Sequence, residues 1–194
     1  MQTIQWEVLL VSPPPVIRHC KQCGKTVCYR SAGLFRVNAQ KKSLDIWLIY
    51  KCGHCQSTWN MTVHSRISPQ ALGADTLGRF YANDSALARQ CACDLGLLRK
   101  NSAAFGRPDY RIVGENLPDT PVHLHITSRH PCAVRVSNLL RVRLGLSHRQ
   151  YEQMIQSGQL RAADGCDLKK IRLNHGILLT VALGTTSHPQ GVVC

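Results

Sequence analysis

The residues best suited to chemistry in this chain are thiols. Cys20-Lys-Gln-Cys23 precedes Gly24, and Cys52-Gly53-His-Cys55 repeats the spacing, with 28 residues between the two pairs. Thiolates are soft anionic ligands, and four of them complete a tetrahedral zinc ion with no position left for a substrate. Two residues between paired cysteines let both sulfurs of one turn reach the same ion, and the adjacent glycine permits the tight backbone. The spacing predicts a structural Zn2+ held by Cys20, Cys23, Cys52 and Cys55, with iron as the alternative metal. Such an ion is worth an apparent ~10–16 kcal/mol to a small domain, enough to decide whether it folds.

Few other residues are arranged for catalysis. The eleven carboxylates are scattered without a pair suited to acid–base work, and no P-loop, dinucleotide fingerprint or His-Glu-x-x-His occurs. A catalytic Cys28 or Cys132 with a distant histidine, or a redox sensor using Cys28, Cys91, Cys93, Cys132 and Cys166, is the remaining catalytic reading, and Cys194 is given no role. Cys28 and Cys91 fit small core positions better, and His19 and His54 flank the knuckles as neighbours rather than ligands. The expected protein is therefore not an enzyme.

The thiol pairs need elements to hold them. Leu34–Val37 and Leu44–Tyr50 alternate as strands around a turn at Gln40-Lys41-Lys42-Ser43. A hairpin that rises from one knuckle and returns at the other is a zinc ribbon. Lys25–Arg30 starts its first strand and Thr58–Val63 adds another. Upstream, residues 3–11 read as a strand anchored by Trp6 and Leu9, followed by the stiff Pro13–Pro15 spacer. Ser68-Pro69 opens a helix through Tyr81, and a second helix runs over 85–100. Strands are expected at 110–113 and 122–126, the latter with His123 and His125 on one face. A helix over 135–145 then leads through Leu146 to Ser147-His-Arg-Gln150, a capping box opening a helix that ends at Ser157-Gly158. Strands at 159–162, 168–173 and 177–183, with a turn at Asp164-Gly165, complete the chain.

The net charge is +13, and it is unevenly spread. Residues 1–66 carry +7, residues 67–116 carry +1 and residues 117–194 carry +5. Two basic regions flanking a neutral one favour a polyanionic partner. The N-terminus lacks a signal-like core and no run approaches a membrane span, so a cytoplasmic location with reduced thiols and no membrane partner is expected.

Two resemblances add to this reading. The helix pair joined at Gly145-Leu146-Ser147, with Arg135, Leu139, Leu140, Arg149, Ile155, Gly158 and Gly176, resembles the RNA-binding module of bacterial small-subunit ribosomal protein four. That module also occurs in pseudouridine synthases and tyrosyl-tRNA synthetases. Ser137 stands where that family has an acid, and Gly176-Ile177 replaces its closing Gly-Asp. The resemblance implies that the helix pair lies against folded RNA. Separately, Phe35-Arg-Val-Asn38, Leu44 to Cys52 and Thr58-Trp-Asn60 resemble a bacterial family known only as domain of unknown function 1062, which implies no activity.

The expected architecture is α+β: a zinc ribbon over 1–66, a helical connector over 67–116, a module like that of the ribosomal protein over 117–184, and a flexible tail over 185–194. The expected function is binding of structured RNA through Arg135, Arg141, Arg143, Ser147, Arg149, Lys169, Lys170 and Arg172. Arginine forks match phosphate geometry. A protein-interaction adaptor docking through the ribbon is the alternative.

Overall fold

Strict alternation along Ser43–Cys52 sets the first sheet. Leu44, Ile46, Leu48, Tyr50 and Cys52 are buried, while Asp45, Trp47, Ile49 and Lys51 on the other face are half-buried. The computed structural model describes residues 1–40, 42–130 and 134–183. Lys41, Cys132, Cys194 and the expected tail over 185–194 lie outside the described residues. The rest forms a mixed α+β structure with two five-stranded sheets and five α-helices among the described residues. The chain divides into two compact units, Leu10–Tyr110, and Met1–Leu9 with the described residues from Arg111 onward.

In the unit Leu10–Tyr110, β2 (Val16–Cys20), β3 (Lys25–Gln40), β4 (Ser43–Cys52) and β5 (Thr58–Ile67) form an antiparallel meander, with β6 (Ala104–Phe105) beside β2. The hairpin turns between Gln40 and Ser43 and pairs Phe35 with Leu48 and Tyr29 with Cys52. A bulge between Ser31 and Phe35, with Gly33 inside it, lets a strand this long bend. Helices cover the buried face, Phe80 meeting Phe35 edge-on at 4.8 Å between ring centroids.

Those helices are shorter than the sequence predicts. Pro69–Ala71 is one 3-10 turn, and α1 (Ala74–Tyr81) starts only after Gly73; the Ser68 side chain caps neither. The expected helix over 85–100 breaks into α2 (Ser85–Cys93) and α3 (Leu95–Lys100), because Asp94 turns its carboxylate onto the Leu97 N–H as a new N-cap. The side chain that opens α2 is Asp84, which accepts from Leu87 N. The expected core cysteines are also placed differently: Cys93 is fully buried, Cys91 only partly so, and Cys28 is exposed on its strand.

The second sheet has the order β7 (Tyr110–Gly114), β1 (Thr3–Leu10), β8 (Val122–Thr127), β10 (Gly176–Val181), β9 (Leu160–Ala162). β1, read with the ribbon from the sequence, runs parallel to β8, with Trp6 opposite Ile126. Its anchors are Ile4, Trp6, Val8 and Leu10; Leu9 falls on the opposite phase and is only half-buried. Pairing between residues some 120 positions apart leaves no local trace in the sequence. Trp6 Nε1 donates to Glu115 O at 2.8 Å.

α4 (Val136–Leu144) ends at Gly145, and α5 (His148–Gln156) opens with the expected capping box: Gln150 N donates to Ser147 Oγ and Ser147 N to Gln150 Oε1. β9 pairs directly with β10, whereas residues 168–173, expected as a strand, form turns touching Arg135 through one backbone bridge at Arg172. Lys169 N and Cys166 N are satisfied by the Asp167 and Asp164 carboxylates instead of by a ladder.

Two buried tyrosines differ in a testable way. Tyr151 donates its hydroxyl to Leu168 O at 2.9 Å, whereas the buried Tyr50 hydroxyl has no hydrogen-bond partner among the described residues. Tyr151→Phe should cost about 1 kcal/mol in urea unfolding and Tyr50→Phe nothing or a slight gain. Gly114 has φ +138, and a Cβ there would sit 2.3 Å from Gln5 O. Gly114→Ala should therefore destabilise by at least about 2 kcal/mol in the same assay.

Candidate metal centre

The four sulfurs arrive from two knuckles. Cys20 closes β2, and Gly24 N reaches back to Cys20 O at 2.9 Å with Gly24 at φ +66, a turn that favours glycine. Cys52 closes β4, and Gln56 N returns to Cys52 O at 3.1 Å. Gly53 N donates to Cys28 O at 2.9 Å, locking the second knuckle to β3, which rises from the first. A Cβ at Gly53 would lie 3.0 Å from that same oxygen, so the position leaves little room for a side chain.

Cys20, Cys23, Cys52 and Cys55 are brought together with all four sulfurs within 4.8 Å of one another. Cys20 and Cys55 sulfurs are 3.6 Å apart, and those of Cys23 and Cys52 are 3.8 Å apart. Zinc–sulfur bonds of about 2.3 Å in a tetrahedron place sulfurs about 3.8 Å apart. The cluster thus has the size of a four-thiolate zinc site, and its donor set suits that ion. Cys20 and Cys52 are fully buried, Cys23 and Cys55 half-buried.

The surroundings favour thiolate. Ser57 Oγ stands 3.2 Å from both the Cys20 and Cys55 sulfurs, and His54 N donates to Cys52 Sγ at 3.4 Å. The Ser57 hydroxyl, followed by that of Tyr29, holds the Cys20 thiol down to about 5, and Ser57 lowers Cys55 as well. Hydrogen bonding with Cys55 and then burial push Cys23 up to about 12. A bound divalent cation favours every thiolate at once and releases the remaining protons. Neither Ser57 nor Tyr29 figures in the sequence reading; a hydroxyl two residues past Cys55 is the signal that could have shown the first. His54 Nδ1 lies 3.6 Å from Cys23 Sγ, beside the cluster as expected. No other group of three or more potential ligands occurs among the described residues.

The expected basic residues are all in the other unit. Lys169 pairs with Glu152 at 3.1 Å and Lys170 with Asp167 at 3.7 Å. Arg141 Nε donates to Leu146 O, and Arg143 donates to Gly114 O at 2.8 Å while lying over the Trp6 ring, 5.7 Å from its centroid. Arg149 is exposed, and Arg135 is the residue preceding α4. Ser147 is occupied as a helix cap. Of the remaining thiols, burial first of all pushes Cys91 and Cys166 up to about 11, so neither is a ready nucleophile at neutral pH.

Protein isolated without chelator should carry one zinc per chain by elemental analysis. Cys52→Ser should lose it and unfold the unit Leu10–Tyr110, whereas Cys28→Ser should keep both metal and fold. Full zinc occupancy in Cys52→Ser would overturn the assignment.

No curated protein and no solved structure shows significant similarity to the chain. One family model, described as "Protein of unknown function (DUF1062)", matches residues 37–165. The match contains Cys52 and Cys55 and both helices α4 and α5, but starts after Cys20 and Cys23. It covers well over half of the sequence, and the chain belongs to the DUF1062 family.

Proposed function

We propose that this protein is a non-enzymatic nucleic-acid-binding protein whose N-terminal zinc ribbon is a structural element, and that it binds structured RNA through the α4–α5 helix pair. The cysteine cluster supports the first part, because four thiolates around one ion leave no coordination position for substrate or water. The observation that carries the second is the state of the arginines at the end of α4. Arg141 and Arg143 are held by neutral oxygens, those of Leu146, Gly114 and Asn116, rather than by carboxylates. They are oriented without being neutralised. Arg149, the second residue of the helix opened by the Ser147 cap, adds an exposed third guanidinium.

Helix, Gly145 turn, capped helix and a β9–β10 pairing follow one another along the chain, which supports reading this segment by its resemblance to the ribosomal-protein module. A-form RNA is read mostly through backbone and shape, so a cationic helix pair suffices without a set of exposed aromatics. Lys169 and Lys170 contribute less than the arginines, since each already faces a carboxylate.

The experiment is a filter-binding or anisotropy titration of the full chain with tRNA and with a folded ribosomal RNA fragment across a salt series. Affinity should fall steeply with salt. Arg149→Gln should weaken binding and lower the salt slope by about one. Absent or salt-insensitive binding would refute the proposal and return the adaptor reading, in which a protein partner docks on the ribbon.

A further inference from the structure

The first sheet has a second face that the metal does not use. Opposite the buried side, β4 presents Trp47, Ile49 and Lys51, β3 presents Arg30 and Arg36, and β5 presents Thr58, Asn60 and Thr62. The register sets these groups side by side: Arg36 is opposite Trp47, which is opposite Thr62, and Arg30 is opposite Lys51, which is opposite Thr58. Arg36 lies against the Trp47 ring, 6.0 Å from its centroid. Lys51 Nζ donates to Thr58 Oγ1 at 2.7 Å, a neutral partner that leaves its charge intact.

No ion pair neutralises Arg30, Arg36 or Lys51 among the described residues. The one acid on this face of β4, Asp45, is occupied by Ser65 Oγ and Arg66 N, each at 3.0 Å. From Trp47 to Lys51 the strand advances about 14 Å, so cations stand at both ends of a short platform with an aromatic ring and an aliphatic side chain between them. Pairing along the edges does not compete for a ligand: β4 is bonded on both sides, and the outer edge of β5 is capped at Thr62 by Asn101.

We propose that this sheet face binds single-stranded nucleic acid, with bases stacking on Trp47 and phosphates meeting Arg30, Arg36 and Lys51. Unpaired cations set beside a half-exposed indole suit a single strand, which offers both a phosphate backbone and free base faces. A duplex hides its base faces, and an acidic protein segment would not need the indole. The site is separate from the α4–α5 helix pair and does not rest on it.

The test uses the full zinc-loaded chain, with oligo(U) and oligo(dT) of about 12 nucleotides as probes. Tryptophan fluorescence should be quenched on binding, and Trp47→Phe should abolish the quench while retaining much of the affinity. Trp47→Ala should weaken binding at least about fivefold, and Arg36→Gln with Lys51→Gln should weaken it and flatten its salt dependence. Zinc content and circular dichroism verify that each variant is folded. The ratio of the two oligonucleotide affinities tells RNA from DNA as the preferred strand. Absence of binding, or binding that the Trp47 and Arg36/Lys51 variants leave intact, overturns this site. If folded RNA still binds with Arg149 dependence, the helix-pair proposal survives that result.

Discussion

Everything in the unit Leu10–Tyr110 depends on one convergence: two turns far apart in sequence place four sulfurs within 4.8 Å. Without a cation, four thiols in such a volume resist ionising together, and the unequal pull of Ser57 on Cys20 against the suppression of Cys23 expresses that conflict. A divalent ion held by Cys20, Cys23, Cys52 and Cys55 would turn that conflict into attraction. The long β3–β4 hairpin then has a fixed base, since Cys52 faces Tyr29 across the ladder and Gly53 bonds back to Cys28 O. Its bulge at Gly33 lets the outer half bend, with Phe35 packed against Phe80 on one face and Arg36 turned to the other.

The cysteine cluster was legible because its signal is local: CxxC pairs with adjacent glycines specify both ligand type and turn. The hairpin was legible too, through alternation at Leu44–Tyr50, and so was the Ser147–Gln150 capping box, which is contained in four residues. What stayed hidden was long-range or decided by competition. β1 alternates clearly, yet nothing in Thr3–Leu10 says that its partner lies at 122–127. The helix over 85–100 has a continuous apolar period, and only the stronger claim of the Asp94 carboxylate on Leu97 N splits it. Residues 168–173 looked like a strand until Asp164 and Asp167 captured the local N–H groups. Cys93 is fully buried in α2 and Cys91 only partly so, a difference that their shared helical period does not show.

Charge follows a similar division. The net +13 predicts a polyanion in general terms, but its use depends on partners that only the folded chain reveals. Lys169 and Lys170 are spent on carboxylates, whereas Arg141 and Arg143 are steadied by carbonyl oxygens and keep their charge. On the first sheet, Arg36 and Lys51 are likewise positioned by neutral groups, an indole and a threonine hydroxyl. Placing a cation without neutralising it costs side-chain entropy and returns no ion-pair energy, a pattern better suited to recognition than to stability.

Zinc-edge X-ray absorption on the purified protein tests most directly whether the cysteine cluster is a closed site. The expected spectrum has four sulfurs at about 2.3 Å from the metal and no lighter scatterer. A shell with an oxygen or nitrogen ligand, or with fewer than four sulfurs, would mean an open metal position and would contradict a purely structural centre.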